Sequence, residues 1–321
     1  MNSVKILIYS VNFSPELTWP GKYTGELAEW LSGRGHEVKV ITPPPYYPEW
    51  RISPPYSGSV YRREGNGVIR CPIWVPSKQS GLKRIIHLAS FAISSFPALI
   101  FQVTWRPDVV WVMEPTLFCA PGALLVARMS GSSSWCHVQD FEVDAAFELG
   151  LLSSRPLRKL VEWSESRLMR RFDRVSTISR NMAGRLSKKG VADTAIRLFP
   201  NWVDTDLIRP LNTPSAFRKE LGISPRATVA LYSGNMGNKQ GLAILVAVAR
   251  LLQKRDDLKF VFCGEGTGRD ALVTQAAGLE NVSFLPLQPV EKLRTGFKNM
   301  FRARCRKRQH MRLQPILRNA S

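Results

Sequence analysis

Four stretches of this chain gather residue types that can do chemistry. The densest is His137-Val138-Gln139-Asp140-Phe141-Glu142-Val143-Asp144, a histidine and three carboxylates within eight positions. Such a set can position a sugar or shuttle a proton. Equally, Asp140 or Asp144 can cap a helix while the histidine sits satisfied in the core. Three carboxylates admit a metal ion, but no second cluster offers matching ligands, so no metal is expected. The stretch Tyr232-Ser233-Gly234-Asn235-Met236-Gly237-Asn238-Lys239-Gln240-Gly241 supplies turn glycines, a lysine and the entry to a helix. Backbone N–H groups, a helix dipole and a mobile point charge suit a diphosphate, although a plain strand-to-helix turn needs the same glycines. In Cys263-Gly264-Glu265-Gly266-Thr267-Gly268 the glycines can admit a phosphate or ribose, and Glu265 can accept ribose hydroxyls or start a helix. Pro20-Gly21-Lys22-Tyr23-Thr24-Gly25 allows close backbone approach to an anion, or is simply a glycine turn.

All four must be held at the ends of regular elements. Val4–Ser10 reads as a strand buried on both faces, Tyr23–Leu31 as a helix and His36–Thr42 as the next strand, a parallel βαβ unit. A Pro-, Tyr- and Trp-rich structured loop (Pro43–Pro55) follows, then a hairpin over Tyr61–Val75 turning at Gly65-Asn66-Gly67. Strands are expected at Asp108–Met113, Ser134–Gln139, Arg174–Ile178 and Ala195–Phe199, alternating with helices at Leu117–Met129, Arg155–Arg171 and Arg180–Lys189. That alternation implies a doubly wound α/β domain over residues 1–200. Residues 201–226 read as a linker with Pro210, Pro214 and Pro225. A second alternation then starts, with strands at Thr228–Ser233, Leu258–Cys263 and Val282–Leu285 and helices at Leu242–Gln253 and Arg269–Ala277. In open α/β sheets ligands bind beyond the carboxyl ends of the strands, where these four stretches lie.

Composition bounds the rest. The 321 residues are 44% hydrophobic and 22% charged, enough apolar matter for about two domains and no match for a disordered chain or a disulfide scaffold. Five scattered cysteines without a Cys-x-x-Cys fit a reducing cytoplasm, and no signal peptide is read. The net charge is +20, and residues 288–321 alone carry 10 basic side chains against one acid. Ile85–Trp105 contains no Asp, Glu, Lys or Arg and is flanked by Lys83, Arg84 and Arg106. His87, Ser90, Ser94, Ser95 and Pro97 weaken it as a membrane span. A buried helix, a half-inserted helix on an anionic lipid surface, and a span remain open.

In order along the chain, several stretches together resemble bacterial exopolysaccharide glycosyltransferases of family 4, the GT-B type. They are Asn12-Phe13-Ser14-Pro15-Glu16 with Gly21-Lys22-Tyr23, Ile41-Thr42-Pro43-Pro44-Pro45-Tyr46-Tyr47-Pro48, Pro115-Thr116-Leu117-Phe118, His137–Asp144, Ser176-Thr177-Ile178-Ser179-Arg180, Phe199-Pro200-Asn201-Trp202 and Tyr232-Ser233-Gly234-Asn235. The likeness covers residues 4 to about 291. It implies two Rossmann-like domains, an N-terminal one for the acceptor and a C-terminal one for a nucleotide-sugar, and transfer with retention of configuration without a cofactor or bound metal. By resemblance His137 faces the transferred sugar, Gly21 lies near the reaction centre and Asp140 joins the catalytic group. Ser233, Gly234, Asn235, Lys239, Gly264, Glu265 and Gly266 hold the donor, with Lys239 countering leaving-group charge. Asn235 stands where many family members have Arg, so a bidentate phosphate contact is missing. The implied acceptor is a lipid-diphosphate-linked saccharide, which places the chain on the inner face of the cytoplasmic membrane.

Two other readings compete. An NAD-linked oxidoreductase or epimerase shares the βαβ units, but neither G-x-G-x-x-G nor a Walker loop is present. A nucleic-acid binder fits the charge, but basic and acidic residues are interspersed in the body and no reader motif occurs, so no nucleic acid is expected. After residue 227 the second domain reads as partial through 293. Residues 294–321 turn abruptly basic (Arg302-Ala303-Arg304-Cys305-Arg306-Lys307-Arg308). The expectation is a frameshifted or truncated end that impairs transfer, against a natural basic tail.

Overall fold

The computed structural model describes residues 3–16, 19–47, 49–58, 61–65, 67–77, 80–114, 118–141, 155–203, 205, 216–237 and 240–288. The chain divides into two compact units at the Asn201–Trp202 junction.

In the first unit an eight-stranded sheet runs in the order β3-β4-β2-β1-β5-β6-β7-β8. The strands are β1 (Lys5–Tyr9), β2 (Glu37–Thr42), β3 (Arg62–Glu64), β4 (Val68–Arg70), β5 (Val109–Glu114), β6 (Ser133–Val138), β7 (Arg174–Thr177) and β8 (Ile196–Leu198). Every pairing is parallel except the β3–β4 hairpin. The chain leaves β1 toward β2 on one side and returns to β5 on the other. The carboxyl ends of β1 and β5 therefore form the switch point where such sheets bind ligands. β1 earns its central place by composition, since Ile6, Leu7, Ile8 and Tyr9 are all buried.

Helix α1 (Trp19–Gly33) buries Tyr23, Leu27, Ala28 and Leu31, one stripe of a 3.6-residue period. It starts four residues before the expected Tyr23, with Pro20 in a first turn that needs no intrahelical N–H. Helix α2 (Gly81–Phe101) is capped by Ser80, whose side chain accepts the Lys83 N–H, and runs on into a 3-10 turn at Gln102–Trp105. It turns His87, Phe91, Ser95 and Leu99, spaced four apart, into the core. There the Ser95 and Tyr9 hydroxyls lie 2.6 Å apart. Helix α3 (Cys119–Ser130) packs beside it, while α4 (Arg155–Met169) and α5 (Arg180–Lys188) flank β6, β7 and β8 in sequence.

The second unit has a three-stranded parallel sheet among the described residues, in the order β11-β10-β9, from β9 (Thr228–Ser233), β10 (Leu258–Cys263) and β11 (Val282–Leu285). Its helices are α6 (Ala216–Glu220), α7 (Ala243–Leu251) and α8 (Arg269–Gln275). Alternation along β10 divides the core. Val261 and Cys263 pack with Phe217, Ile223 and Leu285, and Phe260 and Phe262 pack with Val246, Ala249 and Leu272. The stretch expected as linker thus contains a helix whose Phe217, with Ile223 just beyond, is buried in the second unit. Two apolar anchors among prolines and charges leave too weak a period to be read. Residues 289–321, including the basic tail, lie outside the described residues.

Candidate functional site

At the switch point the loop after β1 is built around a buried acid. Glu16 is 6% exposed, and its Oε1 accepts the backbone N–H groups of Tyr46 and Tyr47 at 3.0 and 3.1 Å. Its Oε2 accepts Asn12 Nδ2 at 2.8 Å. Arg70 ties the same region together, donating to Glu64 Oε2 (3.0 Å), to the Pro43 carbonyl (3.0 Å) and to the Ser14 carbonyl (2.6 Å). Burial raises the Glu16 carboxyl pKa above its ordinary range, opposed by those hydrogen bonds and by the Arg70 charge. Gly21 is explained here. A Cβ on it would stand 2.8 Å from Glu16 Cβ and 3.1 Å from Oε2, so its bareness lets α1 close over the acid. Gly21 thus has a packing role that the sequence does not reveal. By sequence alone Glu16, Asn12 and Arg70 carry no role. An acid between Pro15 and Pro20, four residues from an asparagine, was the available signal.

His137 lies in β6, paired in register with Met113 and Ser176. It is 1% exposed, and its Nδ1 sits 2.8 Å from the Ser176 hydroxyl, which also accepts Trp135 Nε1 at 2.8 Å. The Trp111 and Phe199 rings each lie 5.4 Å from the imidazole, Phe199 edge-on. Burial pushes the His137 pKa down to about 3, so the ring is neutral near pH 7. The ring is enclosed and satisfied, one of the two readings that the sequence leaves open. Asp140, two residues past β6, is exposed, while Gln139 Nε2 donates to Asn201 Oδ1 at 3.1 Å and fixes the strand end. Glu142 and Asp144 lie outside the described residues.

In the second unit the structure brings the two glycine stretches together. β9 and β10 end in register at Ser233 and Cys263. Beyond them Gly234 N donates to the Cys263 carbonyl (2.9 Å), Met236 N to the Glu265 carbonyl (2.7 Å) and Gly268 N to the Met236 carbonyl (2.8 Å). Met236 is fully buried beneath this interlock. Gly264, at φ +152°, lies so close that a Cβ would fall 1.8 Å from the Gly234 carbonyl oxygen, and one on Gly266 would fall 2.4 Å from Asn235 Oδ1. The absence of a Cβ at these two glycines is what lets the two loops meet. Ser233, Asn235 and Glu265 remain exposed at the strand ends, Glu265 with Arg269 at 3.6 Å. Helix α7 opens at Leu242 without a side-chain cap, and its Ile244 and Leu245 N–H groups turn back to the Gly241 and Leu242 carbonyls at 3.3 and 2.9 Å. Lys239 lies outside the described residues.

Two α/β units, the first doubly wound, with candidate ligand loops at their strand ends, have the architecture of GT-B glycosyltransferases, and the matches to known proteins decide the class. Residues 20–202 match the family described as Glycosyl transferase 4-like domain, and residues 215–302 match Glycosyl transferases group 1. The chain belongs to this glycosyltransferase family. It is 44% identical over 299 residues to WcaI of Escherichia coli (strain K12), named for colanic acid biosynthesis, across 90% of this chain and 73% of that one. Among solved structures it is similar to sucrose-phosphate synthase from Thermosynechococcus elongatus, with a TM-score of 0.66 at 15% identity over 92% of this chain and 73% of the other. It is also similar to Anabaena HepE in complex with UDP-glucose, with a TM-score of 0.57 at 14% identity over 90% and 71%. The NAD-linked reading gives way to a transferase.

Proposed function

We propose that this glycosyltransferase takes a sugar from a nucleotide-sugar and passes it, with retention of configuration, to a lipid-diphosphate-linked saccharide at the inner face of the cytoplasmic membrane. The observation that carries the donor half is the interlock of the loops after β9 and β10, with Ser233, Asn235 and Glu265 exposed on it. It fixes a floor of backbone before any ligand arrives, so binding a diphosphate costs little ordering. The α7 N-terminus and Lys239 supply the positive charge, and exposed Ser233, Asn235 and Glu265 supply hydrogen bonds to phosphate and ribose. HepE was solved with UDP-glucose, which supports a nucleotide-sugar, and the colanic acid relative supports a saccharide acceptor.

Once the sugar–phosphate bond breaks, negative charge grows on the diphosphate. Groups already aimed at it stabilise that charge more than they stabilise the bound donor. No metal enters this scheme. In the first unit exposed Asp140 accepts sugar hydroxyl hydrogens in this scheme, while neutral His137 holds the end of β6. The test is calorimetric binding of a panel of nucleotide-sugars to the full chain, followed by transfer to a polyprenyl-diphosphate-linked sugar. Lys239→Met should weaken donor binding and lower the transfer rate by at least about tenfold. Saturable binding of NAD without binding of any nucleotide-sugar would overturn the reading.

A further inference from the structure

Helix α2 faces two environments. Its inward stripe is part of the core, with Phe91 and Leu99 fully buried and Ser95 at the Tyr9 hydroxyl. On the opposite side Leu82, Ile86, Ile93, Phe96 and Phe101 are 66%, 46%, 74%, 42% and 64% exposed. A water-facing helix side normally carries charge, yet 85–105 holds no Asp, Glu, Lys or Arg. By length and composition Leu82–Trp105 is apolar enough to cross a membrane. Crossing would pull Phe91, Ser95 and Leu99 out of the core of the first unit, so those contacts leave only a helix lying flat.

The patch extends beyond α2. Helix α3 packs close enough that a Cβ on Gly122 would stand 2.9 Å from Leu99 Cδ2, and it presents Leu125 and Met129, 42% and 54% exposed. Half-exposed Trp74 and Tyr61 are tied to α2 by the Trp74 N–H to Ser90 Oγ and the Tyr61 hydroxyl to the Ser94 carbonyl. Lys83, Arg84, Arg106 and Arg128 border it, and no acid occurs in 80–107 or 118–133. Asp108 beyond the border is engaged by the Lys5 N–H. An apolar centre with aromatic side chains and an all-basic rim is the complement of an anionic bilayer, hydrocarbon below and lipid phosphate around.

We propose that the outward face of α2 and α3 is the surface on which this chain lies on an anionic lipid bilayer. The purpose of that contact rests on the lipid-linked acceptor proposed above, but the contact itself needs neither donor nor acceptor and is measured without them. The full chain is sedimented with vesicles of phosphatidylcholine alone and of phosphatidylcholine mixed with phosphatidylglycerol. Binding is expected on the mixed vesicles, at least about tenfold tighter than on the neutral ones and weakened by salt. The triple variant Ile93→Ser, Phe96→Ser, Phe101→Ser should lose at least about tenfold in that affinity. The double variant Arg106→Glu, Arg128→Glu should lose preference for phosphatidylglycerol while keeping its weak binding to neutral lipid. Leu251→Ser removes an apolar side chain 83% exposed on the second unit and should change nothing. Circular dichroism confirms folding, and the charge variant carries the test if the triple variant misfolds. A folded wild type left in the supernatant with both vesicles overturns the proposal, as does a triple variant that binds like the wild type. A wild-type dimer dissolved by the triple variant, without vesicle binding, reassigns the face to self-association and overturns it too. Transfer to a water-soluble acceptor analogue, measured in parallel, tests the catalytic reading separately.

Discussion

Gly264→Ala should open the donor-side loops of the second unit while leaving the first unit intact. The added Cβ would sit 1.8 Å from the Gly234 carbonyl oxygen, more than 1 Å inside any tolerable contact, and that oxygen belongs to backbone that cannot swing aside. Gly264 also stands at φ +152°, which an alanine adopts only under strain on the order of 1–3 kcal/mol. Overpacking adds roughly 1–3 kcal/mol. Together these effects come to about 3 kcal/mol, concentrated where Gly234 N–H meets the Cys263 carbonyl and Met236 N–H meets the Glu265 carbonyl. An opening free energy lowered by that amount raises amide exchange about a hundredfold in peptides spanning 228–237 and 258–268. Hydrogen-exchange mass spectrometry reads both peptides, with β1 and β5 as internal references. Nucleotide-sugar binding should be lost with the protection. Exchange within about threefold of wild type in both peptides would refute the claim that these loops are locked through glycine.

Three further outcomes follow. Because burial pushes the His137 pKa down to about 3, the unfolded chain binds its proton first. The stability this ring contributes is complete above its ordinary value near 6.5 and falls by about 1.4 kcal/mol per pH unit as pH drops toward 3. Chemical denaturation from pH 7 to pH 4 should show that loss, and His137→Gln should flatten it; an unchanged slope would place the proton elsewhere. For Glu16 the sign is opposite: its raised pKa means stability is present below the ordinary carboxylate range and lost as pH rises through the folded value. Thermal melts of Glu16→Gln should therefore decline less with rising pH, while Glu16→Ala should cost about 1–3 kcal/mol below the ordinary carboxylate range, by orphaning the Tyr46 and Tyr47 N–H groups, and less as pH rises. Finally, EDTA should leave transfer unchanged, since the scheme draws its positive charge from Lys239 and a helix terminus; a loss restored by magnesium would require a metal.

Most strands could be placed from sequence because each is a short β-branched run between turn residues; β9, β10 and β11 fall on the expected residues. The helix at Ala216–Glu220 could not, because its burial depends on Val261 and Leu285 far along the chain. The same limit governed the site. A glycine beside a helix start looks alike whether it admits a phosphate or a neighbouring loop, and the close approach of Gly264 to Gly234, 30 residues away, is visible only in the fold. His137 shows it most sharply. Its place beside three acids suggested a proton carrier, but the aromatic lid of Trp111 and Phe199 is assembled from strand pairing that no local pattern encodes. Glu16 was overlooked because a carboxylate in a proline-rich loop normally lies in water, and its burial is compensated by N–H groups from a different loop.

The two sides of α2 also sort inherited variation. Alleles at 87, 91, 95 and 99 alter residues that the sheet needs, so their carriers should make less protein and improve at lower temperature. Alleles at 82, 86, 93 and 101 alter side chains that are largely exposed, so abundance should stay near normal whatever the phenotype. Along one helix, defects in quantity and defects in conduct would thus alternate every few codons. A collection of random mutants, scored for protein level alone, would redraw the helix wheel without a structure.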